Sequence, residues 1–200
     1  MLARLFAVVA SCCCVQQALA RGPTPARCVS PATWEGRCIT SQVGQSASFS
    51  EGFSLFSYDS SEERIAIKNE LVEGDKREFY EEIFLFKQKL GYKINLKTRQ
   101  CFNYTLLEPF RPIEVPTNAT SRGEEYIGVS SVPGASVLVT LWSADTTIGR
   151  YSGSWTAVDC IPVMDSYVSA TKGFIHRTFY DVVIGIPNPD VFVPPGECFQ

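Results

Sequence analysis

The sequence predicts an all-β fold of curved antiparallel sheets, about ten strands packed as an open barrel or a sandwich. Three observations carry that expectation. Short runs with period-2 alternation recur along the chain with turn chemistry between them, and no segment shows a convincing amphipathic helical repeat. The strongest strand signal, Phe174 to Ile186, is ended by Pro187, Asn188, Pro189 and Asp190, which cannot continue a ladder. One long Pro-rich connection interrupts the pattern, which then resumes in the same style.

From its start, Met1 to Arg4 carries one positive charge, Leu5 to Val15 is apolar apart from Ser11, and Ala18-Leu19-Ala20 is an A-x-A cleavage pattern. Residues 1–20 therefore read as a secretory signal peptide, and 21–200 as a single domain. The apolar core is shorter than the roughly 18 residues wanted to span a bilayer. The expected product is exported and extracellular, with the lysosome as an additional location. Removing residues 1–20 takes away Arg4, Cys12, Cys13 and Cys14, and leaves 17 basic and 21 acidic side chains with five cysteines. A mildly acidic chain without Lys/Arg clusters among aromatics excludes nucleic acid as the expected partner.

Arg21 to Thr33 is an extended, Pro-rich lead-in holding Cys28. Trp34–Val43 and Gly52–Tyr58 are the first two expected strands. Asp59-Ser60-Ser61 then turns the chain into Arg64–Val72, where Ile65, Ile67 and Leu71 share a parity. Glu78–Phe86 also fits a helical face, but its aromatic density and the Lys-rich turn with Gly91 favour a strand, with Tyr92–Leu96 as hairpin partner. Gln100–Leu107 carries Cys101. Pro109–Gly123 is the irregular connection. Tyr126–Ser130, Ser136–Trp142, Arg150–Cys160 and Ser166–Ala170 follow. In Phe174–Ile186 both parities are largely apolar from Phe179 onward, as in a strand covered on both faces. Val191-Phe192-Val193 is a short return run, stopped by Pro194 and Pro195, and Cys198 is expected to tether the end by a disulfide.

Cys28, Cys38, Cys101, Cys160 and Cys198 form no C-x-x-C pair and the chain has one histidine, His176, so a zinc site is not expected. Two bridges and one odd cysteine are, though spacing does not choose the pairs. Asn118-Ala119-Thr120, in the Pro-rich connection, and Asn103-Tyr104-Thr105 are glycosylation sequons. No G-x-S-x-G elbow is present, His176 has no obvious Ser or Cys partner in sequence, and Glu81-Glu82 and Glu124-Glu125 point to opposite faces of their strands. An enzyme is therefore not expected. No EF-hand loop occurs, and Asp145, Asp159, Asp165, Asp181 and Asp190 are scattered, so no metal ligands are assigned.

Cys28 with Trp34-Glu35-Gly36-Arg37, Cys101, the Pro109–Asn118 loop, Trp142, Asp159-Cys160-Ile161-Pro162-Val163 and Asn188-Pro189-Asp190-Val191-Phe192-Val193-Pro194-Pro195 ending at Cys198 resemble the ependymin family. The terminal D-x-F-x-P-P-x-x-C with D-C-x-P-V upstream is the specific part. The resemblance implies a secreted glycoprotein with a sheet architecture akin to bacterial lipoprotein carriers and a deep apolar pocket. It also implies a homodimer, and roles in lipid binding, calcium binding and cell-matrix adhesion, with the extracellular matrix or a membrane surface as further partners. Carried onto matching positions, it pairs Cys28 with Cys160 and Cys101 with Cys198. The further bridge of the ependymin-related pattern lacks both its cysteines here, and Cys38 has no counterpart.

The two expected functions are a non-catalytic carrier of lipid or fatty acyl ligands and a calcium-binding adhesion or signalling protein acting through its surface and glycans. Wall positions for the carrier, chosen by strand position, are Phe84, Phe86, Tyr92, Ile94, Leu138, Trp142, Phe179 and Val183.

Overall fold

In a computed structural model describing residues 24–170 and 173–199, the chain forms one open eleven-stranded antiparallel sheet. The expected signal peptide lies outside the described residues. The strands are β1 (Thr33–Val43), β2 (Phe49–Asp59), β3 (Arg64–Glu73), β4 (Lys76–Leu85), β5 (Leu90–Asn95) and β6 (Cys101–Thr105), then β7 (Thr120–Gly128), β8 (Ser136–Thr146), β9 (Gly149–Thr156), β10 (Pro162–Ser169) and β11 (Gly173–Ile184). Their spatial order is β6-β5-β4-β3-β2-β1-β11-β10-β9-β8-β7. Two meanders thus run outward from the centre to one edge and inward from the other edge, and the central pair, β1 with β11, joins the beginning of the domain to its end.

Residues 106–119 carry the chain from one edge to the other. They cross the face of the sheet on which Trp34, Tyr58, Tyr151 and Trp155 lie. Three prolines keep this segment out of any ladder, so its few backbone bonds go sideways: Ser30 N donates to Ile113 O at 3.1 Å and Val115 N to Cys28 O at 2.9 Å. Ile113 packs against buried clusters on both halves of the sheet, and that face is accordingly the concave one. Bulges between Glu35 and Arg37, Ser121 and Gly123, and Pro162 and Met164 bend the strands. The first lies opposite Asp181, whose φ is 50°. Gly36 makes that bulge possible, since a Cβ there would sit 3.0 Å from Val182 Cγ2 and 3.1 Å from Tyr180 O.

The core is divided by the sheet. On the concave side Trp34, Cys38, Phe56, Tyr58 and Phe179 form one cluster, with Trp34 stacked on Phe56 at 5.2 Å and edge-on to Phe179 at 5.6 Å. Cys28, Val115, Trp142, Ala144, Tyr151 and Trp155 form the second. On the convex side Ala66, Ile83, Tyr92 and Ile94 are covered by Phe192 and Cys198 of the C-terminal segment.

Three expectations are corrected here. The expected strand Tyr126–Ser130 is the end of a longer one that starts at Thr120 and stops at Gly128, so the irregular connection ends before Thr120 rather than at Gly123. Val191-Phe192-Val193 does not return as a strand: Asn188 accepts from Asp190 N and Pro189 opens a 3-10 turn over Pro189–Phe192, which inserts Phe192 into the convex cluster. The end of β11 is not covered on both faces, because Tyr180, Val183 and Ile184 are about half exposed where the C-terminal segment turns away.

Candidate ligand-binding trough

The concave face is built by register. Cys38 pairs with Ser54 on one side and Phe179 on the other, Thr40 with Gly52 and Arg177, and Arg177 in turn with Asp165. The same face continues through Ile65 and Ile67 to Phe84, Glu82 and Tyr80, and through Tyr167 to Tyr151. The strands are wound tightly enough for β2–β4 to face β9 and β10 across a cavity of about 330 Å³. Phe56, Ile65, Ile67, Phe84 and Phe86 form one wall, Tyr151, Trp155 and Tyr167 the other, and Arg111–Glu114 of the crossing segment lies over it.

Arg177 and Asp165 sit in the middle. Arg177 Nε donates to Asp165 Oδ1 at 2.8 Å and Nη2 to Oδ2 at 2.6 Å, a two-pronged pair whose carboxylate is only 7% exposed. Burial alone lowers the Arg177 pKa, but Asp165 more than offsets this, and the guanidinium stays charged. Beyond the pair the trough changes character. A second cavity of about 190 Å³ shares Phe56, Ile67 and Arg177 with the first, and adds Thr40, Gln42, Ser50, Ser54, Asn69, Tyr80 and Glu82. Asn69 Nδ2 donates to Tyr80 Oη at 2.7 Å, while its Oδ1 is buried with no hydrogen-bond partner among the described residues. Burial pushes the Glu82 carboxyl up, against the pull of Lys93 at 3.8 Å. Burial likewise raises the phenols of Tyr151 and Tyr167, which remain protonated. The trough is therefore aromatic at one end and rich in hydroxyl, amide and carboxyl groups at the other.

Of the wall positions expected from sequence, Phe84 and Phe86 line the cavity. Phe179 and Trp142 lie on the same face but are packed into the two buried clusters beneath it. Leu138 shares the face with Tyr126 near the end of the β7–β8 hairpin, away from the cavity. Tyr92, Ile94 and Val183 are corrected: Tyr92 pairs with Ile83 and Ile94 with Glu81, which places them on the convex side under the C-terminal segment. Val183 pairs with Glu35 and lines a convex depression of about 340 Å³. Sequence reasoning passed over the pairing of Arg177 with Asp165. A signal was available, since Arg177 is a charge between Ile175 and Phe179 on one parity of a strand.

The structure joins Cys28 to Cys160 and Cys101 to Cys198, and leaves Cys38 as a free buried thiol. Asn118 is exposed, its Nδ2 donating to Asp145 O at 2.6 Å, and Asn103 is exposed on edge strand β6. The expectation that His176 has no Ser partner is corrected. Ser166 Oγ lies 2.7 Å from its Nδ1 and Thr178 Oγ1 3.1 Å from its Nε2, because Ser166 and His176 are directly opposed on β10 and β11. Both ring nitrogens are occupied by hydroxyls. No carboxylate hydrogen-bonds the ring among the described residues, so this pair orients a side chain and lacks the third group of a triad.

For calcium the fit is poor. Asp145 pairs with Arg150, Asp165 with Arg177 and Asp181 with Arg37, and no three acidic, His or Cys side chains converge among the described residues. No helix among the described residues is long and apolar enough to cross a membrane.

Comparison with known proteins places this geometry. A solved structure of an uncharacterized conserved protein from Thermus thermophilus superposes with a TM-score of 0.54 at 6% identity, covering 84% of this chain and 88% of that one, a likeness of fold alone. Mammalian ependymin-related protein 1 of Mus musculus is 33% identical over 180 residues, 88% of this chain and 77% of that protein. Ependymin-2 of Carassius auratus is 28% identical over 198 residues, 98% of this chain and 89% of that one. The Ependymin family model matches residues 74–198, from the β3–β4 turn through the Cys101–Cys198 bridge. The chain belongs to the ependymin family.

Proposed function

We propose that the protein is a secreted, non-catalytic carrier that holds an amphiphilic lipid or fatty acyl ligand in the concave trough. The observation that carries this reading is the adjacency of two cavities of different character. Phe56, Ile67 and Arg177 border both an aromatic chamber and a polar one, the pairing that suits a ligand with an apolar tail and a polar end. The larger chamber falls within the range of about 300–1,000 Å³ common for small-molecule sites. Each methylene buried contributes roughly 0.8 kcal/mol, so an acyl chain of about ten carbons binds usefully after ordering costs. Export is supported by the leader pattern of residues 1–20 and by two disulfides, which persist in oxidising compartments.

The test is titration of delipidated protein with a fluorescent fatty acid, alongside mass spectrometry of lipids that co-purify with it. Saturable binding is expected, and it should be lost in Ile67→Trp, which fills the junction of the chambers. Absence of both binding and co-purifying lipid would overturn the carrier reading.

An adhesion or signalling role through the surface is the second reading, and two exposed sequons favour it. Glycans are proposed at Asn118 and Asn103, both exposed. A homodimer is proposed with either reading, on the convex face where Phe53, Leu55 and Tyr180 are exposed.

A further inference from the structure

The hairpin made by β7 and β8 has a composition unlike the rest of the chain. From Tyr126 to Ala144 there is no charged residue. At its end Tyr126, Ile127, Val129, Val132 and Val137 are 58, 49, 53, 50 and 51% exposed. β9 stops at Thr156, which pairs with Val139, and Ala157 N donates to Leu138 O, so the hairpin projects past β9, the strand that flanks it.

We propose that this tip is a docking element for an electrically neutral lipid surface, entering the headgroup region of a phosphatidylcholine-type bilayer. Three features select that partner. The apolar side chains lie on both faces of the hairpin, Tyr126 with Leu138 on the concave side and Ile127 with Val137 on the convex side. A lipid interface surrounds both faces of a hairpin that enters it, whereas packing against a flat sheet covers one. The tip also bonds part of its own backbone internally: Val129 N donates to Ala135 O at 3.0 Å, Ala135 N to Val132 O at 3.1 Å and Val132 N to Val129 O at 3.3 Å. Those groups can leave water at small cost. Finally, Glu124 and Glu125 immediately precede Tyr126 on β7 and are exposed. They repel an anionic surface and limit entry to the tip, with Tyr126 at the level where interfacial aromatics reside.

Docking by the tip is independent of what the trough holds, and the Ile67→Trp protein should dock as wild type does. The experiment uses the full secreted protein with phosphatidylcholine vesicles in a flotation assay. Wild type should float with the vesicles and continue to do so at high salt. Val132→Asp, which keeps the backbone bonds of the turn and changes only an exposed side chain, should weaken partition by about tenfold or more. Val132→Trp should show a blue-shifted emission when vesicles are added. The proposal is overturned by a wild type that stays in solution, by equal partition of Val132→Asp, or by loss of binding at high salt. A Val132→Asp protein that partitions normally but has half the wild-type mass in light scattering also overturns it, and marks the tip as an interface between copies.

Discussion

Cys38 shows how far environment decides chemistry. Its thiol is 2% exposed, burial pushes its pKa up, and Thr40 and Arg177 only partly oppose that, so it lacks both access and thiolate character. It should resist iodoacetamide in the native protein and react once denatured; mass spectrometry of the two samples decides, and full labelling of the native form would refute it. Glu82 makes a prediction with a sign. Its folded pKa is raised, so ionising it costs stability as pH rises through the ordinary glutamate range to the folded value, and the cost persists above that. Glu82→Gln should therefore stabilise the protein at neutral pH, and the gain should vanish as pH falls below the ordinary glutamate value, read from denaturant midpoints at both pHs. For the central pair, Asp165→Ala strands Arg177 and should cost about 3 kcal/mol, whereas joint replacement by Asp165→Leu and Arg177→Met should cost less, because no unpaired charge remains.

At the scale of elements, the C-terminal segment has the clearest mechanical role. It covers Ala66, Ile83, Tyr92 and Ile94 on the convex face, and its end is held by the Cys101–Cys198 bridge, the Arg99–Glu197 ion pair and the insertion of Phe192. The bridge closes 97 residues, for which loop-closure entropy gives about 4–5 kcal/mol. Cys198→Ser should lower the denaturant midpoint accordingly and open the segment near Pro194-Pro195 to limited proteolysis; unchanged protection would assign the hold to Phe192 instead. Strand positions were legible where period 2 survives, and turn residues marked most boundaries; β7 was the exception, because Thr120–Gly128 carries no apolar alternation and only Tyr126–Gly128 of it fell in the expected strand. Which side of the sheet a residue faces was not. Tyr92 and Ile94 share a parity, but both faces are covered, one by the crossing segment and one by the C-terminal segment, so hydrophobicity does not say which is the trough. Val191-Phe192-Val193 misled for a related reason: β-branched residues fit a strand, yet no strand edge is within reach and the Asn188 cap sets a turn. The pairing of the cysteines was readable only through the family resemblance.

For the whole molecule, the sequence left open whether ten or so strands make two sheets or one, because residues 106–119 read equally as a link between sheets or a path across a single one. The structure takes the second course, and an open sheet has consequences that a closed barrel avoids. One face is filled by its own crossing segment and trough. The other is covered over β3–β6 by the C-terminal segment, and beside that cover Phe53 (41%), Leu55 (56%), Tyr180 (47%) and Val183 (56%) stand exposed around depressions shared by β1, β2 and β11. Arg37, paired with Asp181, and Lys68 border it, giving an apolar centre with charges at its margin. Such a patch on a sheet face can meet its own copy across a two-fold axis, each protomer supplying the same residues. We expect a dimer mass in light scattering at micromolar concentration, with or without reductant, since Cys38 is buried and cannot be the link. Leu55→Glu places a charge at the centre of the patch, where each copy faces the other's, and should yield monomers whose fatty-acid titration is unchanged, because Leu55 faces away from the trough. A wild type that is monomeric in both conditions would refute the dimer, and a dimeric Leu55→Glu would move the interface elsewhere.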